Sequence, residues 1–231
     1  MLNDIKLSDI LFLDIETAPV VYKYTDLNET MRTLWDSKHR FQNDTPEMFY
    51  NKAGIFAEFA KVICISVGFY KGQQFNLRSF YGDDEKQLLQ SFATFLTENY
   101  KSKTQLLCAH NGKEFDFPFL CRRMLILGIN LPEILNIAGK KPWEINHLDT
   151  MELWKFGDYK NYTSLNLLAA VFNIPTPKDD ISGADVARVY WEEKDLKRIV
   201  IYCQKDVITV AQLIQRFRNE PLIADENVVY I

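Results

Sequence analysis

Hydrophobic and polar positions along the chain follow two different periods. Short apolar runs rich in Ile, Val and Phe predict strands near residues 10–16, 61–70, 75–81, 104–110 and 145–149. The first three read as a meander, with Lys71-Gly72 as a turn. Apolar positions recurring every three or four residues predict helices near 84–100, 117–128, 163–172, 184–193 and 196–218. The last is the most regular, with Ile199, Cys203, Val207, Val210, Ile214 and Phe217 on one stripe. A sheet first and helices interleaved later describes a layered α/β domain. There is no internal repeat or low-complexity tract, and the best linker candidates, 175–183 and the tail after Asn219, read as a loop and a fraying end.

Acidic residues interrupt this pattern at three places. In 10–16 (ILFLDIE) the apolar residues fall on both faces, as in a central strand covered on both sides. Asp14 and Glu16 are two apart and so point the same way at its carboxyl end. A metal could bridge them, or the strand could simply be reaching the surface. In the last helix Asp206 lies on the apolar stripe with Tyr202 one turn earlier, so both can approach one centre; a core tyrosine beside a salt-bridged aspartate has the same spacing. Asp116 follows the strand-to-loop stretch Cys108-Ala109-His110-Asn111-Gly112, where Pro118 suits a first helical turn and Leu120, Met124 and Leu127 form the buried stripe. Helix capping is the alternative role there. Loops at strand ends concentrate binding residues, which makes Asn111 and Phe115 candidate substrate contacts.

Taken jointly and in this order, LFLDIET, HNGKEFDFPFL and YCQKDV closely resemble the motifs of the DEDD or DnaQ-like 3′-to-5′ exonuclease superfamily. The tyrosine points to its DEDDy branch. More narrowly, EFAKVICISVGFY, KNYTSLNLLAAVFNIPTPKDDISGADVARVYWEEKDL and YCQKDVITVAQL are similar to stand-alone exonucleases related to the proofreading domain of family-B DNA polymerases. The resemblance spans about 10–217 and implies an α/β, ribonuclease-H-like fold with a mixed central sheet flanked by helices. It implies Asp14, Glu16, Asp116 and Asp206 as metal ligands and Tyr202 as the residue orienting the attacking water. Carboxylates are natural ligands for hard ions such as Mg²⁺, and two divalent cations, Mg²⁺ or Mn²⁺, suit phosphodiester hydrolysis because they clamp both the attacking and the leaving oxygen. The expected substrate is the 3′ end of single-stranded or frayed nucleic acid, DNA before RNA. The alternatives are an RNA-trimming exonuclease of the same chemistry and a non-catalytic nucleic-acid-binding module on the same fold.

Composition sets bounds on this reading. With 231 residues and 47% hydrophobic content the chain is most economically one domain, 1–231, with a core at about 10–218, an insertion-like segment at 19–60 and a tail at 219–231. It is too short to hold a polymerase as well. The net charge of −4 would argue against a polyanionic partner, but four of the negative charges are the proposed ligands, and bound cations would make the active face positive. Cys64, Cys108, Cys121 and Cys203 sit in apolar surroundings without Cys-x-x-Cys spacing, as reduced core residues of a cytoplasmic protein do. His39, His110 and His147 are too scattered for a zinc cluster. No apolar stretch is long enough for a membrane span and no signal-peptide pattern opens the chain, so neither a membrane nor secretion is expected, while protein partners stay undefined. The segment 31–41 (MRTLWDSKHRF) reads either as a phosphate-gripping, base-stacking surface or as a helix with its aromatics turned inward. Lys178, Asp179 and Asp180 form a polar loop with rival carboxylates, and Asp149, at a strand end, is a further rival expected to be structural.

Overall fold

The computed structural model describes residues 2–158, 162–175 and 181–231. Its strands are β1 (Ile10–Pro19), β2 (Ala60–Lys71), β3 (Gln74–Tyr81), β4 (Leu106–Ala109), β5 (Leu148–Asp149) and β6 (Val228–Tyr230). They form one sheet in the order β5-β4-β1-β2-β3-β6. The meander is antiparallel, while β4 beside β1, β5 beside β4 and β6 beside β3 run parallel, so the sheet is mixed. The helices are α1 (Glu29–His39), α2 (Pro46–Phe49), α3 (Glu85–Asn99), α4 (Asp116–Ile126), α5 (Thr150–Lys155), α6 (Leu165–Val171), α7 (Val186–Arg188) and α8 (Leu196–Phe217).

Strand alternation decides which helices cover which face. On β1, Leu11, Leu13 and Ile15 point into a core with Leu89, Phe92 and Leu96 of α3 and Phe117, Leu120 and Met124 of α4. Ile10 and Phe12 point the other way, onto Val207, Val210, Ala211 and Ile214 of α8. The central strand is therefore buried on both faces, as its unbroken apolar run requires. Asp14 and Glu16 have the even parity and so face α8.

The segment between β1 and β2 builds its own aromatic cluster. Trp35 is fully buried, its indole N–H donates to the Pro46 carbonyl at 2.8 Å, and Tyr50, Phe56 and Phe59 stand edge-on to its ring. Arg32 donates to the carbonyls of Thr25 and Leu27. Of the two roles open to 31–41, the inward-packing helix is the one α1 adopts, although Phe41 beyond its end is exposed.

Three expectations change. The tail is not a fraying end: Val228–Tyr230 adds β6 to the sheet edge beside Phe75, Asn76 and Leu77, a pairing too short to leave a periodic signature. The strand expected over 145–149 pairs only at Leu148–Asp149. The helix expected over 184–193 is one α turn, α7, that widens into a π turn at Val189–Glu193 and is closed by Lys194 at φ 58°. Among the described residues no helix is long and apolar enough to cross a membrane.

Candidate active site

The carboxyl end of β1, the loop after β4 and the middle of α8 meet at one point. β1 delivers Asp14 opposite Ser66 and Glu16 opposite Cys64 of β2, with a register shift just after Glu16. A bulge there turns the strand as the carboxylates leave the sheet. α8 delivers Tyr202 and Asp206 from the stripe that packs on the sheet. Its seat is close: a side-chain carbon on Gly68 of β2 would lie 2.3 Å from Phe75 and 2.8 Å from Val207, so only glycine lets the helix in. Asp116 opens α4 after a tight loop in which Asn111 takes φ 61°.

Electrostatics shows how near these groups stand. Burial drives the Asp14 carboxyl well above the usual range, and Asp206 and Asp116 push it further. Glu16 is driven the same way by burial, then by Asp14 and Asp206. Asp116 is pushed up to about 8, by burial first and then by Asp149 and Asp206, against the opposing pull of its own and the Ile15 backbone amides. Burial likewise raises the Tyr202 hydroxyl far above its ordinary value, helped by Asp206, Glu16 and Asp14, and the hydroxyl donates to Asp206. All five sequence-derived positions thus share one centre, with Glu16 and Asp116 buried and Asp14, Tyr202 and Asp206 partly exposed.

The donor set fits divalent cations. Among the described residues no salt bridge reaches Asp14, Glu16 or Asp116. Asp14 Oδ2 is buried without a hydrogen-bond partner. Crowded, desolvated carboxylates with an unsatisfied oxygen are costly unless a cation joins them. Donor atoms of Asp14, Glu16 and Cys203 lie within 4.8 Å of one another. Cys203 was legible only as a core position of the stripe; its place directly after Tyr202 was the available signal that it borders the acids.

The remaining candidates sit around this centre. The Phe115 ring is partly buried against Phe119 at 5.4 Å, and the Asn111 side-chain oxygen is buried without a protein partner. Asp149 faces inward as a bracket: its carboxylate accepts the backbone N–H groups of Asn111, Lys113, Met151 and Glu152, capping α5 and holding the loop before α4. His110 is held between the Thr150 hydroxyl and the Thr163 carbonyl, both at 2.9 Å, and burial lowers its pKa. The loop with Lys178, Asp179 and Asp180 lies outside the described residues.

A mixed sheet with α3 and α4 on one face and α8 on the other, carrying an acidic centre at the end of its central strand, is a ribonuclease-H-like α/β domain. Residues 55–219 match a family of predicted 3′-5′ exonucleases related to the exonuclease domain of PolB, and the chain belongs to that family. Asp116, Tyr202 and Asp206 fall inside the matched stretch, whereas Asp14 and Glu16 precede it. A DNA polymerase of Pyrococcus glycovorans is 23% identical over 146 residues, covering 58% of this chain and 18% of the polymerase. The family B DNA polymerase of the hyperthermophilic archaeon Pyrobaculum calidifontis has a similar fold, with a TM-score of 0.52 at 16% identity over 90% of this chain and 24% of that one. The chain therefore spans about a fifth to a quarter of the length of these relatives.

Proposed function

We propose that the chain is a metal-dependent 3′-to-5′ exonuclease that removes nucleotides one at a time from single-stranded or frayed 3′ ends, DNA in preference to RNA. The observation that carries this reading is the convergence of Asp14, Glu16, Asp116, Asp206 and Tyr202 from three elements on one desolvated acidic centre, in a chain of this family. The four carboxylates would hold two divalent cations, Mg²⁺ or Mn²⁺. When bound, such ions supply Lewis-acid activation of a water and charge stabilisation at the departing 3′ oxygen. The preference for DNA is supported by the relatives, both DNA polymerases.

The chain's own groups divide the remaining work. Tyr202 stays neutral at any ordinary pH, so its hydroxyl, anchored on Asp206, can orient the attacking water in line with the scissile bond. The water loses a proton to solvent as its oxygen bonds to phosphorus, the bond to the 3′ oxygen breaks, that oxygen takes a proton from solvent, and a 5′-mononucleotide is released. The Asn111 amide, with its unpartnered oxygen, is available to hydrogen-bond the terminal nucleotide, and the accessible part of the Phe115 ring to stack on it. A flush duplex end must fray before it can enter. The four cysteines are buried and free, in keeping with a cytoplasmic setting.

Digestion of 5′-labelled single strands, blunt duplexes, 3′-phosphorylated ends and matched RNA tests the proposal. The expected product is a ladder shortening from the 3′ end, faster for unpaired than for blunt ends and faster for DNA than for RNA. Faster digestion of RNA would reassign the substrate, and internal cuts or first release of the 5′ nucleotide would overturn the assignment.

A further inference from the structure

We infer that Cys203 gives the acidic centre a soft donor, so that the site also captures thiophilic divalent ions of the Zn²⁺ and Cd²⁺ type through Asp14, Glu16 and the Cys203 sulfur. The inference rests on the reading of Asp14 and Glu16 as metal ligands and adds a residue which that reading leaves out.

Two observations converge on it. The sulfur and one carboxylate oxygen from each of Asp14 and Glu16 lie within 4.8 Å of one another. Donors sharing a zinc ion at bond lengths of about 2.0 Å to oxygen and 2.3 Å to sulfur stand roughly 3–4 Å apart, so small carboxylate rotations close the set. Independently, Asp14 Oδ2 is buried and has no hydrogen-bond partner, which leaves a carboxylate oxygen of this residue unsatisfied until a cation takes it. The sulfur is firmly placed. Cys203 has no exposed surface, its thiol donates to the Asp14 main-chain oxygen at 3.4 Å, and it packs with Cys64 and Ile63 of β2.

Hard and soft ions should treat this set differently. Mg²⁺ is satisfied by oxygen, so the thiol keeps its proton and stays a neighbour of the site. A thiophilic ion gains from sulfur, the sulfur–metal bond replaces the S–H bond, and the proton is released to solvent. Such an ion would compete with Mg²⁺ for Asp14 and Glu16 and block hydrolysis.

The test is titration of the metal-free protein with Cd²⁺, following the ultraviolet thiolate-to-cadmium charge-transfer band, in wild type, Cys203→Ser and Cys64→Ser. Wild type and Cys64→Ser should develop the band. Cys203→Ser should lose it and bind Cd²⁺ roughly tenfold or more weakly, the scale for disturbing a ligand set, while Mn²⁺-induced thermal stabilisation changes by less than about twofold in apparent affinity. A band that survives in Cys203→Ser, or Cd²⁺ bound to wild type without a band, overturns the inference and leaves the reading of the acids intact. Failure of wild type to bind either Cd²⁺ or Mn²⁺ overturns both. If Cys203→Ser does not fold, X-ray absorption of the Cd²⁺ complex of wild type decides: a sulfur scatterer supports the inference and an all-oxygen shell removes it.

Discussion

Three carboxyl groups, desolvated first of all and repelling one another second, make protonation part of this protein's stability. Burial pushes the Asp116 carboxyl up to about 8 in the folded chain, against about 3.9 for an unstructured aspartate. A raised carboxyl means that the native state binds the extra proton, so its stabilising contribution is complete below the unfolded value and is lost as pH climbs through the folded one. Asp14 and Glu16 are shifted in the same direction. Metal-free protein should therefore show a melting temperature that falls between about pH 4 and about pH 8. The stabilisation by millimolar Mn²⁺ should grow over the same window, because cations bind the ionised set. Differential scanning fluorimetry across that range would measure both, and a melting temperature that is flat or rises with pH in the metal-free protein would contradict the assigned burial and crowding. Tyr202 poses a separate question. Tyr202→Phe keeps the ring in its cluster and removes only the hydroxyl. Turnover should fall roughly 10²-fold, the lower scale for a positioned proton-transfer or water-orienting group, with KM and melting temperature little changed. Because both ring nitrogens of His110 are already engaged, no histidine limb should appear in the pH profile; full activity in Tyr202→Phe would reduce the tyrosine to packing.

At the scale of elements, the site depends on how deeply α8 sits on the sheet. Gly68 sets that depth, because any β-carbon would meet Phe75 and Val207 below normal contact distance. Gly68→Ala should cost about 1–3 kcal/mol, the range for overpacking a core, and lower turnover by displacing Tyr202 and Asp206 from the β1 acids. Unchanged activity and stability, read by urea denaturation and steady-state kinetics, would show that the seat can yield without consequence. The elements that sequence made legible are those with a long, clean period. The parity of 10–16 put Asp14 and Glu16 on one face, and the stripe of α8 put Tyr202 and Asp206 on the face that meets them. What stayed hidden was short or depended on contacts distant in sequence. β6 and β5 pair over three and two residues, and Asp149 acts by accepting amides from both sides of a loop some 38 residues away. Cys203 looked like one more apolar stripe position because its closeness to Asp14 exists only once α8 lies on β1 and β2.

For the whole molecule, the layered domain brings an acidic point to the end of a strand covered on both faces, where bound cations would offset the mutual repulsion. The insertion between β1 and β2 secures that strand end: Thr17 donates to the Gly54 carbonyl at 2.7 Å and Tyr50 to the Val21 carbonyl at 2.9 Å. With a net charge of −4, the proposed function would rely on cations held by these acids, more than on a basic surface, to engage a polyanion. The most direct measurement is digestion of a 5′-labelled single strand with Mg²⁺ or Mn²⁺ by wild type and Asp14→Asn side by side. Wild type should give a metal-dependent ladder shortening from the 3′ end, and Asp14→Asn should give none while melting no lower than wild type without metal. A ladder from Asp14→Asn at the wild-type rate, or wild-type digestion that persists in excess chelator, would contradict the central claim that these carboxylates hold the catalytic metals.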